Sequence, residues 1–219
     1  MSTEPEAAVP GTRLVLVRHG ESVATAQRYI GGHRTCRGLT ELGVRQAEAL
    51  RDRWATSLDF TPDALVASHF PRAIETANIV APSLAGLPVV IDPGVGEHDP
   101  GPLVDGMTYD EYVKRWGTGP DWEDPYHTVF EGGETMSAFH HRVATALHDI
   151  AAAHVGRTVV VFCHGGVVDV AFRSFLRLSI AGGFELHTLN TSVTSFMRLG
   201  STRWRLERYN DSSHLVGLG

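Results

Sequence analysis

Two short segments of the chain carry the residue types that chemistry on an anion requires. Arg18-His19-Gly20-Glu21-Ser22 follows an uninterrupted apolar run at 14–17, and Cys163-His164-Gly165-Gly166 follows another at 159–162. In each, a histidine stands where a buried strand gives way to glycine, and open α/β sheets bind ligands at the carboxyl ends of their strands. One such segment alone reads as a solvated arginine beside a satisfied surface histidine. Two in one sheet converge on one crevice. A third element joins them, because Ser68-His69-Phe70-Pro71-Arg72-Ala73 follows the apolar run at 64–67. Two arginines, two histidines and the amides of helix N-termini make a site for a phosphate dianion, whose oxygens match guanidinium forks and oriented N–H groups.

The elements that must position these residues are legible from periodicity. The runs at 14–17, 64–67 and 159–162, with a fourth at 89–91, are continuous rather than alternating, which predicts strands buried on both faces in a parallel sheet. Between them lie helical stretches. Residues 40–57 place Val44, Ala47, Leu50 and Trp54 on one stripe with Thr40 as N-cap, and 71–83 begin with Pro71 in the first turn. Residues 134–154 predict a helix of about five turns, and 167–178 one more. This alternation predicts an α/β fold: a three-layer α/β/α sandwich with a mostly parallel central sheet. Residues 92–133, rich in Gly and Pro with one short helix near 108–116, form a lid or small cap inserted after the third to fourth strand. Residues 191–208 predict a hairpin turning at Gly200-Ser201. Residues 1–10 read as a disordered lead-in and 11–219 as a single domain.

Composition excludes several classes. Nineteen Lys and Arg against 25 Asp and Glu give a net charge of −6, which argues against nucleic acid or an anionic membrane as partner. No uncharged stretch is apolar enough to span a bilayer, and the opening MSTEPEAAVP lacks the basic and apolar regions of a secretory signal. Two cysteines, Cys36 and Cys163, suffice neither for a disulfide framework nor for a structural zinc site. The expectation is a cytoplasmic protein. His140, His141, His148 and His154 fall on one predicted helix without metal-ligand spacing, so no metal is expected there.

The string LVLVRHGES at 14–22 resembles the signature of the histidine phosphatase superfamily, which includes the cofactor-dependent phosphoglycerate mutases. Further blocks match in order: Gly38-Leu39-Thr40-Glu41-Leu42-Gly43 with Gln46-Ala47, Ser68 through Arg72-Ala73 to Thr76-Ala77, Gly132-Gly133-Glu134-Thr135 with Arg142, Phe162 to Gly166, and Asn190 to Thr194. The resemblance implies a phosphomonoester hydrolase with His19 as nucleophile and a phosphohistidine intermediate. It implies that Arg18, Arg72 and His164 hold the transferred phosphoryl oxygens, with His19 neutral and His164 protonated. Glu97 aligns with the family's proton donor, a role favoured when a nearby phosphate raises a carboxyl's proton affinity. Asp99 and then Asp105 are the next candidates for that acid. Gly20, Ser22, Thr25, Arg28 and Gly165 are the expected substrate contacts, with no metal and no cofactor. The expected partner is a small phosphorylated substrate, and a homodimer is compatible with the sheet edges.

The chain departs from the family pattern on the substrate side. Ala24-Thr25 stands where the family usually carries Trp-Asn, Arg28 matches the next family arginine only with one residue deleted, and Gly101 to Gly106 lacks the family's aromatic. Its single lysine, Lys114, favours water over a sugar acid as phosphoryl acceptor, hence a phosphatase. A mutase-type transferase and a non-catalytic binder of phosphorylated ligands are the alternatives.

Overall fold

The computed structural model describes residues 11–117, 124–182 and 184–218; the expected lead-in at 1–10 lies outside them. Six strands, β1 (Thr12–Arg18), β2 (Ala64–Ala67), β3 (Val89–Ile91), β4 (Thr158–Cys163), β5 (Val193–Leu199) and β6 (Arg203–Asp211), form one sheet in the order β3-β2-β4-β1-β5-β6. The first four strands pair in parallel, and the β5–β6 hairpin adds antiparallel to β1, as the turn at Gly200-Ser201 predicts. The helices are α1 (Val23–Ala26), α2 (Glu41–Thr56), α3 (Pro71–Val80), α4 (Tyr109–Trp116), α5 (Met136–Ala153) and α6 (Gly165–Phe175).

The pleat of the central strands sorts the core into two layers. Leu14, Leu16, Val159 and Val161 pack on Phe139, Val143 and Leu147 of α5 and on Val167 and Ala171 of α6. Their neighbours Val15, Val17, Val160 and Phe162 pack on Ala47, Leu50 and Trp54 of α2 and on Ala77 and Val80 of α3. Both faces of the sheet are therefore covered, which is why these strands read as continuous apolar runs. β3 differs. It is an edge strand, and Val90 and Ile91 are 59% and 44% exposed, so burial on both faces does not extend to it.

Helix starts follow their caps. Thr40 Oγ1 accepts from the Gly43 amide, and Thr108 and Glu111 form a capping box at α4. α6 begins two residues earlier than the sequence suggests: His164 is its N-cap and Gly165-Gly166, poor helix formers, occupy its first turn. Ile30, Val104, Tyr112, Val129 and Phe130 form a third, smaller core under the cap, with Met107, Trp116 and Met136 against it. That core draws on Ile30 and Met136, beyond the expected 92–133 segment. No described helix is long and apolar enough to cross a membrane.

Candidate active site

Register places the chemistry. Val17 is level with Phe162, and Phe162 with Ala67, so His19, His164 and Ser68 follow the carboxyl ends of three adjacent strands. The His19 amide donates to Cys163 O at 3.0 Å, extending the parallel ladder past β1. Its carbonyl accepts from Asn190 Nδ2 at 2.9 Å, and the Thr191 amide donates to Arg18 O at 2.9 Å. Thr191 holds φ +54, an uncommon conformation for a β-branched residue, fixed where the turn grips the nucleophile candidate's backbone.

The imidazole of His19, 4% exposed, has a defined tautomer. Nδ1 donates to Gly20 O at 2.6 Å, leaving a lone pair on Nε2, which accepts from Arg72 Nε at 3.0 Å. Arg72 is itself fixed: Nη1 donates to Gly31 O at 3.1 Å, and the guanidinium lies 4.5 Å from the Phe70 ring centre. His164 is fully buried, with Nε2 2.8 Å from Ser68 Oγ and its ring 5.1 Å from that of His19. Arg18 donates through Nη1 to Thr188 O. Arg18 Nε and His164 Nδ1 are buried with no hydrogen-bond partner among the described residues, an arrangement that an anion's oxygens would satisfy.

Burial, reinforced by the charges of Arg72 and Arg18, pushes His19 well below the usual histidine range. Burial, Arg72, His19 and Arg18 do the same to His164. Both shifts favour neutral rings, so the proton expected on His164 would need the counter-charge of a bound dianion. In the ligand-free protein the two ring signals are expected not to titrate by NMR between pH 7.5 and 5.5. The unfolded chain's histidines protonate near 6.5, so below that pH the unfolded state binds more protons and stability falls. Thermal midpoints are therefore expected to drop from pH 7.5 to 5.5; an unchanged midpoint together with titrating rings would contradict this.

Glu97 stands on a turn after β3. Its Oε1 accepts from the His98 amide at 3.0 Å and its Oε2 from the Gly166 amide at 3.1 Å, so the first turn of α6 holds the carboxyl. Arg142, on α5, fastens that turn. Nη1 donates to the carbonyls of Pro93, Gly94 and Gly96 and Nη2 to that of Glu97, while Glu134 pairs with the guanidinium at 2.9 Å. Asp99 is bound by both amino groups of Arg34 at 2.9 and 3.1 Å, and that hydrogen bonding holds it below the usual carboxylate range, which disfavours the protonated form a donor must carry. Asp105 is committed to the Gly32 and Arg34 amides and to the Thr35 hydroxyl.

A cleft of about 450 Å³ brings together Arg18, His19, Arg72 and Glu97, with Ser22, Thr25 and Arg28 on its wall. Arg28 adopts φ +56 there, a left-handed non-glycine residue beside the site. Ser22 also caps α1, its Oγ accepting from the Thr25 amide at 3.3 Å. Two of the expected contacts, Gly20 and Gly165, are not among the residues that line this cleft. Gly20 does not line the cleft: its amide donates to Thr76 Oγ1 at 3.1 Å, and a Cβ on it would lie 2.4 Å from Gly43 O. Its lack of a side chain serves a backbone-to-backbone contact. Gly165 opens α6 beside Arg18, where an added Cβ would rest 3.8 Å from Arg18 Nε. Cys163 is buried in β4, and burial pushes its thiol far up, away from redox reactivity. Sequence reasoning quoted Ser68, Thr76, Arg142, Asn190 and Thr191 within motifs without giving them roles, and it passed over Tyr29 and Tyr109, which also line the cleft.

A family model described as histidine phosphatase superfamily (branch 1) matches residues 14–212. Among curated proteins, the metal-independent phosphoserine phosphatase of Arabidopsis thaliana is 31% identical over 218 positions, covering 95% of this chain and 85% of that protein. The same plant's phosphoglycerate mutase-like protein 4 is 30% identical over 210 positions, covering 94% and 88%. Among solved structures, Bacillus stearothermophilus YhfR superposes with a TM-score of 0.81 at 27% identity, covering 93% of this chain and 99% of that one.

Proposed function

The chain belongs to the histidine phosphatase superfamily, and from that premise we propose that it hydrolyses phosphomonoesters without a metal ion, through a phosphohistidine on His19. The observation carrying this reading is the unprotonated Nε2 of His19, whose lone pair accepts from Arg72 Nε at 3.0 Å in a buried site with Nδ1–H fixed on Gly20 O. A neutral, oriented imidazole nitrogen attacks phosphorus directly, splitting one difficult displacement into two.

In the first step Nε2 forms a bond to phosphorus as the ester P–O bond breaks. Glu97 gives its proton to the leaving oxygen. In the second, water attacks the phosphohistidine, its proton passes to the Glu97 carboxylate, and the P–N bond breaks to release phosphate and restore Nε2. Arg18, Arg72 and His164 hold the three equatorial oxygens, where phosphoryl transfer concentrates its charge. Arg72 turns from the lone pair to an oxygen when phosphate enters, so one guanidinium both orients the nucleophile and stabilises the transferred group. Thr25 and Arg28 face the bound substrate. Hydrolysis is favoured over transfer to a second sugar acid because the sole lysine, Lys114, is exposed on α4 and lies off the cleft.

The test is phosphate release from p-nitrophenyl phosphate in EDTA, with an alkaline detergent quench to trap the intermediate. Expected are EDTA-resistant turnover and a phosphoenzyme stable in base, labile in acid and mapped to the His19 peptide. Turnover that stops with EDTA, or a phosphoryl group on another residue, would overturn the proposal. Turnover only with a bisphosphorylated primer would favour the mutase reading.

A further inference from the structure

The structure carries a second cavity, of about 290 Å³, that shares Glu97 and Gly31 with the cleft. The rest of its wall is chiefly carbon: Ile30, Pro100, Phe130, Met136 and Phe139. We propose that this pocket receives the organic half of the substrate, and that the esterified alcohol is an apolar one, aryl or long alkyl, rather than a carboxylate-bearing or polyol one. The inference rests on the reading of Glu97 as proton donor.

A donor must come within hydrogen-bond distance of the leaving oxygen, so the carbon attached to that oxygen starts beside Glu97. Two ways on are open. The amides that fix the Glu97 carboxyl, those of His98 and Gly166, belong to residues that line the apolar pocket. A third cavity, of about 410 Å³, also touches Glu97 and is lined by His33, His69, Asp99, Glu134 and Arg142. Its carboxylates repel an acidic alcohol, and its arginine is spent on Glu134 and on backbone carbonyls. The apolar pocket has no lysine or arginine among its described lining residues, so a carboxylate entering it would lose water without gaining a counter-charge. An aromatic ring fits: a dry cavity of about half this volume takes up benzene, and Phe130 and Phe139 offer ring faces and edges to it.

The experiment measures kcat/KM for phosphate release by the full chain from esters of primary alcohols: butyl phosphate, 2-phenylethyl phosphate, phosphoserine, 3-phosphoglycerate and glucose 6-phosphate. 2-Phenylethyl phosphate is expected to lead, by about tenfold or more over the last three, with butyl phosphate between them. Met136→Lys puts a cation on the half-buried pocket wall and is expected to reverse the order of 2-phenylethyl phosphate and 3-phosphoglycerate. The wild-type series decides by itself if that variant fails to fold. A lead for phosphoserine, 3-phosphoglycerate or glucose 6-phosphate overturns this inference and leaves the phosphatase reading standing. No release from any ester, p-nitrophenyl phosphate included, by folded protein overturns both.

Discussion

His19→Ala is expected to lower kcat for every phosphomonoester by about a thousandfold or more, to background. The size follows from the absence of a substitute. His164 is the nearest imidazole, but its Nε2 is engaged with Ser68 and the ring is wholly buried, so it can help hold a phosphoryl group without presenting a lone pair in line. Binding should suffer far less. Arg18 and Arg72 remain, and Arg72 loses only its contact to Nε2, which the proposed binding of phosphate would itself displace. Titration calorimetry with inorganic phosphate is therefore expected to give affinities for variant and wild type within about tenfold. A variant that keeps a tenth of the wild-type kcat would rule out His19 as the covalent nucleophile. One that loses phosphate affinity in proportion to turnover would show that the ring mainly organises the site.

Glu97→Gln comes second, and its effect should depend on the leaving group. Gln preserves the size of the side chain and one oxygen acceptor for the amides of His98 and Gly166, but it has no proton to donate. Alkyl phosphates, which leave as strongly basic alkoxides, should slow by about 10²–10⁴, the usual reach of general acid catalysis. p-Nitrophenyl phosphate, whose phenolate leaves unaided, should lose far less in the bond-breaking step. Steady-state rates on a matched pair of esters, with a single-turnover quench to isolate phosphoenzyme formation, separate the two effects. An equal loss on both esters in that step would remove Glu97 as proton donor and leave it a positioning role.

The sequence made legible what depends on neighbours in the chain. β1, β2 and β4 are plain because both faces of each are buried, and Thr40 and Thr108 mark helix starts because capping is local. β3 misleads because three apolar residues look the same at an edge as at the centre. The start of α6 was hidden by two glycines, which occupy its first turn despite their low helix propensity and without a side-chain cap from His164. In the site, His19, Arg18, Arg72 and Glu97 do line one cleft, with His164 against the His19 ring. What remained illegible comes from contacts distant in sequence: Ser68 meets His164 across 96 positions, and Asn190 meets the His19 carbonyl across 171. The packing of Gly20 on the backbone of Gly43 is another such contact.

That glycine contact has a consequence for how the protein can diverge. A Cβ on Gly20 would sit 2.4 Å from Gly43 O, and one on Gly43 would sit 2.1 Å from Glu21 O. Main chain meets main chain there, with no flexible side chain to yield, so the segment bearing His19 tolerates little variation. The walls of the apolar pocket are side chains of Ile30, Phe130 and Met136, set in the cap's own small core. Directed evolution can therefore treat the two as separate modules: libraries at 30, 130 and 136 sample new specificities at constant chemistry, while libraries at 20 and 43 mostly return inactive clones.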